Sequence, residues 1–210
     1  MVFLSACGAG DRFAELSYDH PSRYYLYTPQ GYTDFQQWPL FIALHDSKSN
    51  SLDCITEWFE IAEENQFFLL CPELDVREGG LDRPVNERIL AGILNELYQN
   101  YRLQERFFLA GRGEAASFAL RYAFRYPQAI AGVSAIEATS YPGGGHVGRF
   151  PILAIVESRD QQSIEAGNLF IERQGAAGVP TRLVEIDGLG EGIPYSVQRL
   201  TVDLFEQTSR

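Results

Sequence analysis

Short apolar runs and amphipathic segments alternate along this chain, and the alternation restricts the fold more than any other feature of the sequence. The runs Pro39–His45 and Phe67–Cys71 are almost entirely apolar, which is typical of strands that are covered on both faces. The segment between them carries Ile55, Trp58 and Phe59 at helical spacing. This pattern predicts an α/β fold with a mostly parallel, doubly wound sheet and helices on both faces.

The same reasoning assigns elements to the rest of the chain. The predicted strands are Arg23–Tyr27, Pro39–His45, Phe67–Cys71, Phe107–Ala110, Ile130–Ile136, Ile152–Val156 and Thr181–Ile186. The predicted helices are Leu52–Glu64, 84–101, Glu114–Tyr126, about Gln161–Gln174 and Tyr195–Phe205. A length of 210 residues suits one such domain. We expect residues 22–208 to form it, after an N-terminal tail of residues 1–21.

The charge of the chain restricts its partners. The formal net charge of -11 argues against nucleic acid and anionic membranes, because both would repel the protein at contact distance. No run of about 18 apolar residues is present, so no transmembrane segment is expected. A small molecule or another protein remains as the expected partner, and the sequence does not identify it.

The three cysteines lead to separate predictions. Cys7 ends the segment Leu4-Ser5-Ala6-Cys7, which resembles a bacterial lipobox and predicts a lipid anchor on an envelope protein if the native start lies upstream. The alternative is the frayed tail of a cytoplasmic protein. Cys54 is expected near the start of a helix and Cys71 at the end of a strand, at the same sheet edge. A disulfide is conceivable after export, but two buried free thiols are favoured.

The segment Arg106–Ala116 reads RFFLAGRGEAA: an apolar run, a Gly-x-Gly-x-Ala turn and the beginning of a helix. The chain resembles the α/β-hydrolase family in this segment and in five others. They are RYYLYTPQGY, PLFIALHD, the helix that ends in RYAFRYP, PILAIVESRD and EIDGLGEG. The nearest branch is that of compact esterases and polyhydroxybutyrate-depolymerase-like proteins. The resemblance extends from about Ser22 to Phe205, and it implies the α/β-hydrolase fold with a serine nucleophile, a histidine base, an acid and an oxyanion hole.

Position by position, the resemblance implies a degenerate catalytic triad. The nucleophile position is Gly113, which has no side chain, and the base position is Glu191. The acid position keeps a carboxylate, Asp160. The oxyanion loop keeps His45 but continues with Asp46 where the family has glycine, and a carboxylate is poorly suited to a site that stabilises negative charge. The sequence therefore predicts a non-catalytic protein with a binding or interaction role.

The alternative is an active hydrolase of small esters with a relocated triad. Ser117 follows four residues after Gly113, but the predicted helix deprives it of an exposed turn. His146, in the loop after the strand Ile130–Ile136, is the best replacement base. A solvent-exposed loop histidine is the simpler interpretation of His146, and His45 is expected to hold its loop in place.

Four carboxylates are predicted to meet where the altered site lies, since parallel strands present their carboxyl ends at one edge of the sheet. They are Asp46, Glu114, Asp160 and Glu191. Glu114 directly follows the nucleophile position and is counted, with His45 and Asp46, among the oxyanion-loop positions. Asp160 and Glu191 are expected to lie close together, so a shared proton, an arginine or a cation must compensate their charges.

Arg112 and Arg159 are the arginines nearest to these carboxylates in sequence, and they predict a salt-bridged pocket floor. A ligand would contact Asp46, Arg112, Asp160, Glu191 and His146. A hard metal such as Ca²⁺ lacks the expected Asp-x-Asp-x-Asp ligand spacing, so no metal or cofactor is predicted. Acid–base catalysis by the carboxylate pair is permitted by chemistry, but nothing in the sequence favours it.

Overall fold

The computed structural model describes residues 14–17, 23–76, 80–143 and 149–209. Its strands are β1 Ala14–Ser17, β2 Arg23–Tyr27, β3 Leu40–Leu44, β4 Phe68–Pro72, β5 Phe107–Arg112, β6 Ile130–Ile136, β7 Ile152–Glu157 and β8 Thr181–Ile186. Its α-helices are α1 Ser51–Asn65, α2 Pro84–Asn100, α3 Glu114–Arg125, α4 Gln161–Ala176 and α5 Tyr195–Thr208. A short 3-10 turn, Pro127–Ala129, precedes β6.

One sheet contains all of these strands in the order β1-β2-β4-β3-β5-β6-β7-β8. The pairs from β4 through β3 to β8 are parallel, whereas β1–β2 and β2–β4 are antiparallel. The predicted mostly parallel sheet is therefore confirmed. The strand β1 was not expected from the sequence and lies within the region predicted as a tail.

Helices cover both faces of the sheet, as predicted. In β3, Leu40 and Ile42 belong to a core cluster that includes side chains of α2, α3 and α4. Phe41 and Ala43 belong to a second cluster, which includes side chains of α1 and α5. Alternate residues of a strand point to opposite faces, so an uninterrupted apolar strand is buried on both sides.

The predicted element boundaries differ from the observed ones by at most three residues, and the strands Arg23–Tyr27, Ile130–Ile136 and Thr181–Ile186 coincide. The helix α1 begins at Ser51 because the side chain of Asn50 accepts hydrogen bonds from the amides of Leu52 and Asp53, at 2.9 and 3.0 Å. The strand β5 continues past Ala110 to Arg112. Only one residue, Gly113, therefore separates β5 from α3.

The two described cysteines lie where the sequence predicted them. Cys54 is in the first turn of α1 and Cys71 is in β4, and both are buried and free. Cys7, with the lipid anchor predicted on it, lies outside the described residues. Within the described ranges, no helix combines the length and the apolar character that a membrane crossing requires.

Candidate active site of a hydrolase fold

The turn between β5 and α3 has the geometry of a nucleophile elbow. Gly113 adopts φ 60° and ψ -121°, a conformation that is strained for any residue with a side chain. Two residues earlier, a Cβ on Gly111 would lie 2.7 Å from the carbonyl carbon of Ala115, so the close approach of helix to strand requires glycine there. The sharp strand-to-helix turn predicted from the sequence is therefore present, with glycine at its tip.

The space above Gly113 is open. A Cβ built on Gly113 would have Asp46 Oδ2 as its nearest neighbour, at an ordinary contact distance of 3.9 Å. A serine side chain at this position would therefore not be blocked by its surroundings. The absence of a side chain at this position is a consequence of residue identity, not of a filled space.

A cavity of about 870 Å³ opens above this turn, at the carboxyl ends of the parallel strands. Of the predicted site residues, it brings together His45, Asp46, Arg112, Gly113, Asp160 and Glu191. Glu114 is not among the residues that line it. Its carboxylate accepts a hydrogen bond from the amide of Leu81 at 3.2 Å instead, because the side chain leaves the turn on the other side. The predicted gathering of four carboxylates is thus wrong for Glu114.

Four more carboxylates line the cavity, and the sequence analysis did not identify them. They are Asp53, Glu57, Glu137 and Glu157. With Asp46, Asp160 and Glu191, the lining contains seven carboxylates against two cationic side chains, Lys48 and Arg112. The electrostatic field of the cavity therefore disfavours anionic ligands.

Arg112 spans the cavity and holds the loop that follows β8. Its Nε donates to Glu137 Oε2 at 2.6 Å, and Nη2 lies 2.5 Å from the same oxygen. Its two terminal nitrogens donate to four successive backbone carbonyls, those of Leu189, Gly190, Glu191 and Gly192, at 2.6–2.9 Å. One guanidinium therefore fixes the loop segment that contains Glu191, the predicted base position.

Glu137, the partner of Arg112, has an unusual backbone. It lies directly after β6 with φ 49°, a left-handed conformation that is uncommon for residues other than glycine. Its amide donates to the Ile155 carbonyl at 2.7 Å. The sequence predicted that an arginine would compensate the charges of Asp160 and Glu191. Arg112 instead pairs with Glu137, which no sequence motif indicated.

Two further carboxylates hold the same loop by its amides. Glu157 accepts from Leu189 at 2.8 Å and Gly188 at 3.2 Å, and the Leu189 hydrogen bond lowers the pKa of the Glu157 carboxyl. Glu57 accepts from the Ile193 amide at 2.5 Å, but its burial raises its pKa above the ordinary value. The loop of residues 188–193 is therefore fixed through its backbone by Arg112, Glu157 and Glu57.

Asp160 and Glu191 both line the cavity but have different roles. Asp160 caps α4 by accepting from the Ser163 amide and hydroxyl at 3.1 and 2.6 Å, and the hydroxyl lowers its pKa. Glu191 is exposed and contributes its backbone carbonyl to the Arg112 contacts. Arg159 pairs with Asp187 at 2.9 Å on the surface. The prediction that Arg159 compensates Asp160 and Glu191 is therefore wrong.

The two polar core residues closest to the turn are fully engaged. His45 is buried; its Nε2 accepts from the Leu74 amide at 2.9 Å, which leaves Nδ1 to donate to the Asp46 carbonyl at 2.8 Å. Ser117 is buried inside α3 and accepts from the Ser140 amide at 2.9 Å. His45 thus holds its loop in place and Ser117 lacks exposure, as expected. His146 lies outside the described residues.

In the part of the chain that the structure describes, no group of three or more His, Cys, Asp or Glu side chains is arranged to hold a metal ion. Five of the cavity carboxylates instead contact backbone amides, hydroxyls or Arg112; they are Asp46, Glu57, Glu137, Glu157 and Asp160.

Comparison with solved structures identifies the fold. A thermostable esterase superposes with a TM-score of 0.72 at 16% identity over 95% of this chain, which spans 64% of that esterase's length. An S-formylglutathione hydrolase from Staphylococcus aureus gives 0.73 at 14% identity over 94% of this chain and 98% of that one. A dienelactone hydrolase from Anabaena variabilis gives 0.70 at 17% identity, over 95% and 100%. The chain therefore has the α/β-hydrolase fold of these esterases and hydrolases.

At the level of sequence, no family model matches the chain, and no curated protein is similar to it.

Proposed function

We propose that this chain is a non-catalytic protein of the α/β-hydrolase fold that uses the cavity above Gly113 to bind a small molecule. One observation carries the proposal: the turn retains the elbow backbone and the open space above it, while glycine occupies its tip. Serine hydrolases need an oxygen nucleophile at this position, activated by an adjacent base.

The hydroxyl and thiol groups of the cavity do not supply an activated replacement. They are Ser49, Cys54, Thr139 and Ser163. Each has a hydrogen-bond partner: Ser49 contacts Asp46, Cys54 the Ala43 carbonyl, Thr139 the Ser117 hydroxyl, and Ser163 contacts Asp160. His45 is the only histidine among residues 23–76, 80–143 and 149–209, and both of its ring nitrogens have backbone partners. No serine–histidine or cysteine–histidine pair is formed by these residues.

The cavity also restricts the chemistry of its ligand. Arg112 is committed to Glu137 and to the loop carbonyls, so its positive charge does not offset the remaining carboxylates. An ammonium or amidinium group would be attracted, and a carboxylate or phosphate would be repelled. The proposed ligand is therefore neutral or cationic.

Hydrolysis assays test the missing chemistry. We expect the purified protein to hydrolyse p-nitrophenyl acetate and butyrate no faster than buffer does, because no serine or cysteine of the described cavity lining has a histidine base beside it. The double variant Gly113→Ser, Glu191→His restores the two missing groups and serves as the comparison. Turnover by the unaltered protein above buffer would contradict the proposal.

A matched set of ligands tests the binding role. Benzylamine, benzyl alcohol and benzoate differ mainly in charge, and calorimetric titration at low salt should give measurable binding for the amine and none for benzoate. The amine affinity should fall several-fold in the Asp46→Asn, Asp160→Asn variant and with added salt. Equal binding of benzoate and benzylamine would refute the proposed charge preference.

A further inference from the structure

Two thiols meet behind the wall of the cavity. Cys54, in α1, and Cys71, in β4, have their sulfur atoms 2.7 Å apart, and the Cys54 thiol is also 3.3 Å from the Ala43 carbonyl. Cys54 is 5% exposed and lines the cavity, whereas Cys71 is 0% exposed. A small solute in the cavity can therefore reach Cys54, whereas Cys71 lies behind Cys54.

We propose that Cys54 and Cys71 form a redox-active pair, which a small peroxide entering the cavity converts to a disulfide between α1 and β4. The geometry carries this inference: the sulfurs are in contact, they belong to different elements, and one of them faces the cavity. The acidic lining favours a neutral oxidant such as hydrogen peroxide over an anionic one.

The reaction proceeds in two balanced steps. The Cys54 thiol gives up its proton, and the thiolate sulfur attacks one peroxide oxygen. The O–O bond breaks, the leaving hydroxide takes up that one proton and becomes water, and Cys54 becomes a sulfenic acid. The Cys71 sulfur then attacks Cys54, the S–O bond breaks and a second water leaves with the Cys71 proton. Two thiols and one peroxide thus give one disulfide and two waters.

The difference in environment sets the order of the two steps. Burial raises the pKa of the Cys71 thiol well above its ordinary value, and the adjacent Cys54 adds to this effect. The thiolate is the nucleophile in thiol chemistry, so Cys71 is the poorer first attacker. Cys54, which the peroxide reaches first, is therefore the residue that is oxidised, and Cys71 resolves it.

The disulfide would affect the cavity through α1. Asp53, Glu57 and Trp58 of α1 line the cavity, and Glu57 holds the Ile193 amide. A covalent link from α1 to the central sheet fixes this wall. It also closes a short chain loop, which predicts a rise in melting temperature of about 5–10 °C on oxidation, reversed by dithiothreitol.

The test uses the full chain with Cys7→Ser, so that only the pair remains. After treatment with hydrogen peroxide at mildly alkaline pH, we expect the intact mass to fall by two hydrogen atoms, no free thiol to titrate in denaturant, and one cross-linked peptide containing residues 54 and 71. In Cys71→Ala, Cys54 should be trapped by dimedone as the sulfenic acid. In Cys54→Ala, Cys71 should stay unmodified.

Two results would overturn the proposal. One is that both thiols still titrate in denaturant after peroxide treatment. The other is a mass gain of oxygen atoms without a cross-link, which would show independent overoxidation. Both are read on the Cys7→Ser protein itself, so they remain decisive if the alanine variants fail to fold. The outcome is also independent of ester hydrolysis, because neither thiol belongs to the altered triad.

Discussion

The two sides of the cavity above β5 use their residues in different ways. On one side, the turn at Gly113 combines a strained backbone and open space with a residue that has no side chain. On the other side, the loop of residues 188–193 is held by Arg112, Glu157 and Glu57 through its backbone groups. The first side shows that a sharp strand-to-helix turn does not require a reactive side chain at its tip. The second side shows that charged side chains of the cavity hold a loop in place through its backbone groups.

The largest expected effect concerns the held loop. Replacing Arg112 with alanine removes the ion pair with Glu137 and the donors to four carbonyls, and it leaves Glu137 without its cation. We expect the free energy of unfolding to fall by about 2–4 kcal/mol. Urea denaturation monitored by fluorescence measures this change.

Arg159→Ala is the matched control for Arg112→Ala. Arg159 pairs with Asp187 where both side chains are mostly exposed, so its loss should change stability by no more than about 0.5 kcal/mol. If the two arginine variants have equal stability, Arg112 does not fix the loop.

A smaller effect is expected at the turn. Gly113→Ala places a side chain on a backbone with φ 60° but meets no steric obstacle, so it should cost about 1–3 kcal/mol through strain alone. Gly178→Ala is the control for the cost of backbone strain. Gly178 also has a positive φ, 80°, and open space around it, but it lies outside the cavity, so its variant should lose a similar amount of stability. A neutral Gly113→Ala would show that the turn does not have the strained elbow conformation.

The smallest effect is a difference in pH dependence between the two carboxylates that hold loop amides. The lowered pKa of Glu157 contributes stability above its unfolded-state pKa of 4.5, and this contribution is lost as the pH falls through the lower folded-state value. The raised pKa of Glu57 has the opposite sign: its contribution is present below 4.5 and is lost as the pH rises through the folded-state value.

Glutamine variants separate these contributions. At neutral pH, Glu157→Gln should be less stable than the unaltered protein, and the difference should shrink on acidification. Glu57→Gln should be equally stable or more stable at neutral pH, because it removes a partly buried charge and retains an acceptor for the Ile193 amide. Urea midpoints from about pH 3.5 to about pH 7.5 measure both trends. Parallel profiles for the two variants would contradict the assigned pKa directions.

Local sequence patterns predicted most of the secondary structure. The apolar runs located seven strands of the sheet, and the Gly-x-Gly-x-Ala turn located Gly113, because both signals depend on neighbouring residues. The strand β1 was not predicted, since its evidence is its pairing with β2, not a pattern of its own. The fold could therefore be predicted from the sequence almost completely.

The site was predictable only in part, for a physical reason. Glu57 binds an amide 136 residues away, and Glu157 one 31 residues away, so no spacing in the sequence indicates these contacts. Arg112 was identified as a cation of the site, but its partner Glu137 and the loop carbonyls lie 25 and 77–80 residues away. Glu114 was placed in the site by analogy, and its side chain turned to Leu81 instead.

Covalent labelling with a fluorophosphonate probe is the sharpest test of the proposal that this hydrolase fold has an elbow without a nucleophile. Such a probe reacts with an activated serine whatever its position, so the test also covers a relocated triad that includes His146. We expect the intact mass of the unaltered protein to stay unchanged. Stoichiometric labelling at any serine would contradict it.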